Sequence, residues 1–145
     1  MKIFLSTRKT ERVVWLENGR VYKSQPKFLT DNEYYFLRKM ELSGYVPKRV
    51  EREGIELISM EFIPHIKVTD SAEFMSHYVH VLHALAEAGI RHGDLTEYSV
   101  LVRDNRPILV DFAESREMYS EIVSKRPEAD SYWLKKTMEK LANDK

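Results

Sequence analysis

The stretch from His92 to Phe112 constrains this chain more than any other part of it. It reads His92-Gly93-Asp94-Leu95-Thr96-Glu97-Tyr98-Ser99, then two short apolar runs around a turn, then Asp111-Phe112. The runs, Val100 to Val102 and Ile108 to Val110, flank Asp104-Asn105 and read as a hairpin. Asp94 falls in a loop just after a helix end, and Asp111 closes the second strand, so both carboxylates face the same side of the hairpin. Two carboxylates in one cleft repel each other and cost stability unless a ligand uses them. Phosphoryl transfer needs such a pair: one carboxylate orients the attacking hydroxyl, and the other holds the magnesium that neutralises the phosphates. Asp94 and Asp111 are therefore the candidate catalytic residues, with Asp111 also the candidate metal ligand.

Length and composition set the frame. A chain of 145 residues favours one domain, residues 1–145, with a modest core. The 23 basic and 23 acidic residues cancel, so nothing draws the chain toward a nucleic acid or a membrane at long range. Nucleic acid is not expected as a direct ligand. Cysteine is absent, which removes disulfides and thiolate zinc sites and fits a reducing compartment. Polar residues follow Leu5 too soon for a signal peptide, and no run approaches the roughly 18 apolar residues of a membrane helix. The expectation is a cytoplasmic protein. High charge and a single glutamine are also a hyperthermophile balance, though chance gives the same in a short chain.

The N-terminal part reads as strands: Lys2 to Leu5, Arg12 to Leu16 and Arg20 to Tyr22, the last two joined by Glu17-Asn18-Gly19. Thr30 with Glu33 three residues on is the capping-box pattern, so a helix is expected from Thr30, with Tyr34, Leu37 and Leu42 on its apolar face and Gly44 at its end. Val50 begins an extended stretch, Glu53-Gly54 turns, and Ile55 to Met60 returns as a strand. Beyond Pro64 the pattern is mainly helical. Ser71 to Ala88 carries Phe74, Tyr78, Val81, Leu82 and Leu85 at helical spacing between an Asp70 or Ser71 cap and Gly89. A last helix is expected from about Glu128 to Leu141. Strands with one helix, then mostly helix with one hairpin, make an α+β protein.

His92 to Leu101 resembles the catalytic loop of the RIO-type atypical serine kinases, close to His-Gly/Ala-Asp-Leu-Ser-Glu-Tyr-Asn-Ile-Leu. That loop is a variant of the wider kinase pattern His-Arg-Asp-Leu with a later Asn. Asp111-Phe112-Ala113-Glu114-Ser115 is similar to the same type's Asp-Phe-Ser-Gln metal motif, and Arg126-Pro127-Glu128-Ala129 to its His-Pro-x-Ala segment. The resemblance implies a minimal bilobal protein-kinase-like fold. Its N-lobe, residues 1–63, would be a small β-sheet plus one helix, and its C-lobe, residues 64–145, mainly helical. It implies ATP and Mg2+ as cofactors. Lys23, ending the third strand, would meet the ATP phosphates with Glu33 as its partner. Met60, Glu61 and Ile63 would form the hinge that reads the adenine edge through backbone groups. Ser6, Thr7 and Lys9, with Arg8, stand where the type has a Ser-Thr-Gly-Lys-Glu phosphate loop. The activity implied is a serine/threonine kinase or an ATPase in which Asp111 itself accepts phosphate. The partners implied are a protein substrate or the chain itself, and a ribosome-related or other protein.

Each of these residues has a plainer reading as well. Lys23 could be an ordinary strand lysine, Glu33 could complete the capping box, and Ser6 to Glu11 could be a solvated turn. Three departures also matter. Ser99 stands where kinases have a metal-holding asparagine, so it is the candidate second ligand, with a shorter reach. Arg8 replaces the glycine that lets backbone approach phosphates. The chain is short even for this type. The alternative is a pseudokinase, a nucleotide-binding or scaffolding module without catalysis. His77, His80 and His83 recur at a spacing better suited to a surface or core-edge row than to zinc. Lys135, Lys136 and Lys140 suit the negative end of the last helix.

Overall fold

The computed structural model describes residues 2–9, 12–64, 66–117 and 129–143. Strands β1 (Ile3–Lys9), β2 (Arg12–Glu17) and β3 (Arg20–Ser24) run antiparallel and continue through β5 (Leu57–Glu61) to β4 (Glu51–Gly54). The β2–β3 turn falls at Asn18 and Gly19, both with positive φ, as a two-residue hairpin of this hand requires. Period-2 alternation gives the sheet two faces. Trp15 and Tyr22 stack on one, their rings 5.6 Å apart. Lys23, Val21, Ile58 and Met60 point the other way, where Val21 pairs with Met60 and Lys23 with Ile58.

Helix α1 (Lys27–Lys39) lies between β3 and β4 in the chain and starts earlier than the capping-box pattern suggests. Pro26 occupies the cap, its carbonyl accepting from Leu29 and Thr30 N–H at 3.0 Å each. Proline suits a helix start because its φ is preset and its missing N–H is not needed there. Thr30 is thus inside the helix, its hydroxyl donating to the Gln25 carbonyl at 3.1 Å, and Glu33 is not a capping residue. The helix also stops sooner than expected. Met40 closes it, a 3-10 turn covers Glu41–Ser43, and Gly44 follows in the left-handed region. Leu42 is therefore wholly exposed rather than on the apolar face.

Helix α2 (Ser71–Ala88) has the expected bounds, with the Asp70 carboxylate accepting the Glu73 N–H at 3.0 Å and Gly89 left-handed at its end. Strands β7 (Val100–Arg103) and β8 (Arg106–Leu109) form the hairpin, turning at Asp104 and Asn105 with positive φ. Two-residue strands β6 (Ile90–Arg91) and β9 (Arg116–Glu117) pair antiparallel and had no sequence signal. Helix α3 (Ala129–Asn143) packs on α2. One apolar cluster joins α1, β5, α2, the hairpin and α3 through residues such as Leu37, Ile58, Phe74, Leu109 and Met138. Among the described residues, no helix is long and apolar enough to cross a membrane.

Candidate functional site

Lys23 sits on a central strand, only 7% exposed, and its ammonium needs partners to stay charged there. It has three carboxylate contacts: Glu33 Oε2 at 2.8 Å, Glu33 Oε1 at 3.1 Å, and Asp111 Oδ1 at 2.8 Å. Burial alone would lower its pKa, but the Glu33 and Asp111 carboxylates more than reverse this and hold it above the ordinary lysine value. Burial likewise works against the charged Asp111, and Lys23 outweighs it, so that carboxyl titrates below its usual range. Both groups are ionised at neutral pH. Glu33 is fully buried, and Gln25 Nε2 donates to its Oε1 at 2.8 Å. Lys23 and Glu33 are thus paired, and the exposed-lysine and capping-box readings fail for the same reason: both side chains face inward and meet.

The other wall is the loop from His92 to Ser99. Gly93 has φ +88°, and a Cβ there would come within 3.2 Å of the Glu114 carbonyl, so glycine is needed twice over. The His92 ring is fully buried and stacks edge-on against Phe112. Its Nδ1 accepts the Asp94 N–H at 3.1 Å, which assigns the proton to Nε2, donating to the Val110 carbonyl at 2.7 Å. Burial lowers the His92 pKa, in keeping with this neutral tautomer. His92 thus links the backbone of Asp94 to that of Val110, the residue before Asp111. Asp111 itself is left-handed at φ +64°, a strained conformation for a residue with a Cβ.

Ser99 does not take the place expected of a metal ligand. It is fully buried, its hydroxyl accepting the Thr96 N–H at 2.8 Å and directed at the Asp94 carbonyl at 2.6 Å and the Thr96 carbonyl at 3.0 Å. The short side chain closes the loop on itself instead of reaching into the cleft. The expected phosphate loop also differs, since β1 continues through Ser6, Thr7, Arg8 and Lys9 as strand, with irregular register against β2. The side chains of these four lie outside the described residues, as does the Arg126-Pro127-Glu128 segment.

Between the walls is a cavity of about 580 Å3, lined by apolar Val14, Val21, Met60 and Leu101 and carrying Lys23 and Asp111. Met60, Glu61 and Ile63 all border it. Glu61 ends β5, its carboxylate accepting the Lys48 N–H at 2.8 Å and pairing with Arg103 at 3.2 Å. This ties the strand after which the chain crosses between lobes to the hairpin below.

Two residues that count here were not legible as site residues. Arg12, at the start of β2, borders the cavity, and its Nε is buried without a hydrogen-bond partner. Asp130, in the first turn of α3, accepts the His92 N–H at 2.6 Å and the Gly93 N–H at 3.1 Å. With Thr137 donating to the Leu95 carbonyl at 2.9 Å, it makes α3 the support of the loop. The histidine row serves structure: His77 Nδ1 and the Tyr45 hydroxyl lie 2.9 Å apart, and His83 pairs with Glu87. Lys140 pairs with Glu97 at 2.6 Å, so its role is to hold the loop as well as to suit a helix end.

Sheet with one helix above, helices and a hairpin below, and a lysine–glutamate–aspartate contact between them define a protein-kinase-like fold. Solved structures agree. The Rio2 kinase of Chaetomium thermophilum, alone and as its ADP/Mg2+-phosphoaspartate complex, superposes with TM-score 0.73 at 17% and 16% identity, over 96% and 94% of this chain. WbdD superposes with TM-score 0.63 at 17% identity, covering 90% of this chain and 37% of that one. The RIO domain model matches residues 12–143, and the chain belongs to that family. The RIO-type serine/threonine-protein kinase Rio1 of Methanocaldococcus jannaschii is 27% identical over 97 residues, 59% of this chain and 33% of that protein. The chain thus spans about a third of that relative, and 57% and 54% of the two Rio2 chains.

Proposed function

We propose that this chain carries out ATP-dependent phosphoryl transfer, as a RIO-like serine/threonine kinase or ATPase, with Mg2+ in the cleft between its lobes. The observation that carries the reading is Lys23, shared between Glu33 and Asp111 at 2.8 Å each. A largely apolar cavity that carries two cations, Lys23 and Arg12, and the carboxylates of Asp111 and Glu61 suits a nucleotide: base against Val14, Val21, Met60 and Leu101, backbone edges of Glu61 and Ile63 beside it, phosphates toward Lys23. Arg12, with an unpartnered Nε, is a second cation for those phosphates and takes over part of what a glycine-rich loop does elsewhere.

The donor set fits magnesium. Asp111 offers a hard, ionised oxygen, and among the described residues no group of three or more His, Cys, Asp or Glu could hold a metal ion without help from a ligand. Magnesium is commonly held by one or two carboxylates, with substrate phosphates and water completing the shell. When bound, it would offset charge on the transferred group. Asp94 orients the acceptor hydroxyl, that of a protein side chain in another molecule or in this one. In the ATPase branch Asp111 is itself the acceptor, in line with the phosphoaspartate of the Rio2 complex.

The test is γ-phosphate transfer from ATP with and without magnesium, in the wild type and in Asp94→Ala. The variant should bind nucleotide nearly as well while turnover falls about 10²- to 10⁴-fold, the span typical of a positioned acid–base group. Unchanged turnover would remove Asp94 from the mechanism. A second reading, nucleotide binding without catalysis, draws on the inward-turned Ser99, which leaves Asp111 without the second ligand that kinases have. It is the better one if the wild type binds ATP and neither transfers nor hydrolyses it.

A further inference from the structure

A second cavity, of about 540 Å3, lies between the first turn of α1 and the β6–β9 pair, lined by residues distinct from those of the nucleotide cleft. Arg91 and Arg116 both line it, and they are direct partners in the β6–β9 register. Like charges placed opposite one another across a strand pair are destabilising. Among the described residues neither arginine makes an ion pair, and Arg91 Nε is buried without a hydrogen-bond partner. One carboxylate, the half-exposed Glu114, lines the same cavity, and the two arginines leave the lining with a net positive charge. The carboxylates nearby are engaged elsewhere: Glu114 with Arg12 at 3.4 Å, Glu117 with Lys39 at 3.0 Å, and Asp130 with the His92 and Gly93 N–H groups. The floor is fixed, because Asn32 donates to the Ala113 carbonyl at 2.7 Å and the Ser115 carbonyl at 2.9 Å.

We propose that this cavity is an anion site that takes a phosphorylated side chain of a polypeptide. Two guanidinium groups match the charge of a phosphoryl group, which carries close to two negative charges at neutral pH, and their planar forks suit its oxygens. The polypeptide part rests on the apolar rim. Phe28 and Leu29 line the same cavity, and Phe28 is 70% exposed, a wall that a free inorganic ion would leave unused and an apolar residue next to the phosphorylated one would cover. The cavity borders the His92–Ser99 loop at Gly93 but shares no lining residue with the nucleotide cavity, and binding there does not depend on phosphoryl transfer.

The test is fluorescence anisotropy without nucleotide. The probe is a labelled heptapeptide with one phosphoserine two residues from a phenylalanine, compared with its unphosphorylated form and with inorganic phosphate as competitor. The phosphopeptide should bind at least roughly tenfold more tightly than the unphosphorylated peptide, and added salt should weaken it. Arg116→Gln should lower its affinity by a similar factor while leaving ATP binding unchanged and the thermal midpoint no lower, since it relieves the opposition with Arg91. Because Arg91 adjoins His92, Arg116→Gln carries the test even if Arg91→Gln folds poorly. Equal binding of the two peptides overturns the proposal, as does unaltered affinity in Arg116→Gln. Inorganic phosphate competing as well as the phosphopeptide itself would overturn the polypeptide assignment.

Discussion

On the sheet side of the cleft, one buried cation is held by charge: Lys23 between Glu33 and Asp111, with Gln25 completing the shell of Glu33. On the loop side the backbone around Asp94 is held by the His92 imidazole, which accepts the Asp94 N–H, the Ser99 hydroxyl, which donates to the Asp94 carbonyl, and the Asp130 carboxylate, which accepts the His92 and Gly93 N–H groups. The difference reflects what each side must do. The sheet side presents a full positive charge to phosphates in a place with little water, so it needs counter-charges that can yield part of their hold when a ligand arrives. The loop side must keep the turn of backbone that carries Asp94 at a fixed position, and hydrogen bonds to backbone groups do that. Loss of a partner should therefore be costlier on the first side than on the second.

The largest effect is expected from Lys23→Met. Removing the ammonium leaves Glu33 and Asp111 without their cation, one of them fully buried, and breaking such a pair typically costs about 3–5 kcal/mol. Adding Glu33→Leu should recover most of that loss, since an apolar replacement of both partners is often close to neutral. Urea unfolding of the single and double variants measures both. If the double variant is as unstable as the two singles summed, the pair is not coupled and the contrast between the walls collapses.

What could be read ahead of the structure was local. Helix α2 had its Asp70 cap, its apolar spacing and Gly89 within one continuous stretch, and its bounds came out as expected. The β7–β8 hairpin announced itself through Asp104-Asn105, and its flanking aspartates through the motif around them. Features fixed by distant partners were harder to see. Glu33 matched a capping box with Thr30, and only the approach of β3 shows that its carboxylate serves Lys23 instead. Asp130 looks like any acidic residue in a helix's first turn until the His92 loop is folded against it. Ser99 occupies an asparagine's position in the motif, but whether a hydroxyl points outward or inward depends on the turn it closes. Strands β6 and β9, two residues each, are too short to carry a pattern.

Ser99 gives a smaller effect that separates the two walls by another route. Ser99→Ala removes the hydroxyl that bridges Thr96 N–H and the Asp94 carbonyl, but those two keep their direct bond at 3.0 Å and the Thr96 carbonyl keeps the Ser99 N–H at 3.0 Å, so the cost should be near that of ordinary hydrogen bonds, about 0.5–1.5 kcal/mol. Ser99→Asn should cost more, about 1–3 kcal/mol, because a larger side chain is forced into filled space. In Ser99→Ala the magnesium dependence of nucleotide binding should stay as in the wild type, since the hydroxyl is directed at backbone. A titration in which that dependence weakens would return Ser99 to the metal site and make the loop a part of the charged wall.

The smallest effect is a pH dependence, and it tests whether the loop side is as neutral as its hydrogen bonds imply. His92 is buried in the form whose Nδ1 accepts from the Asp94 N–H. Protonating that nitrogen would set two N–H groups against each other. Burial holds its folded pKa below the ordinary value near 6.5, so between the two values the unfolded chain binds the extra proton and the folded chain does not. The His92 contribution to stability is thus fully present above about pH 6.5 and declines as pH falls toward the folded value, with a slope of at most about 1.4 kcal/mol per pH unit for one proton. Asp111 has a depressed pKa too, but its loss begins only near the carboxylate range, below about pH 4, and leaves the window between pH 7 and pH 5 to His92 and the other histidines. Urea midpoints of the magnesium-free protein should fall across that window, and the fall should be smaller in His92→Gln, which is less stable throughout but has no proton to take up. An equal slope in both proteins would assign the dependence to His77, also lowered by burial, and would leave the His92 tautomer without support.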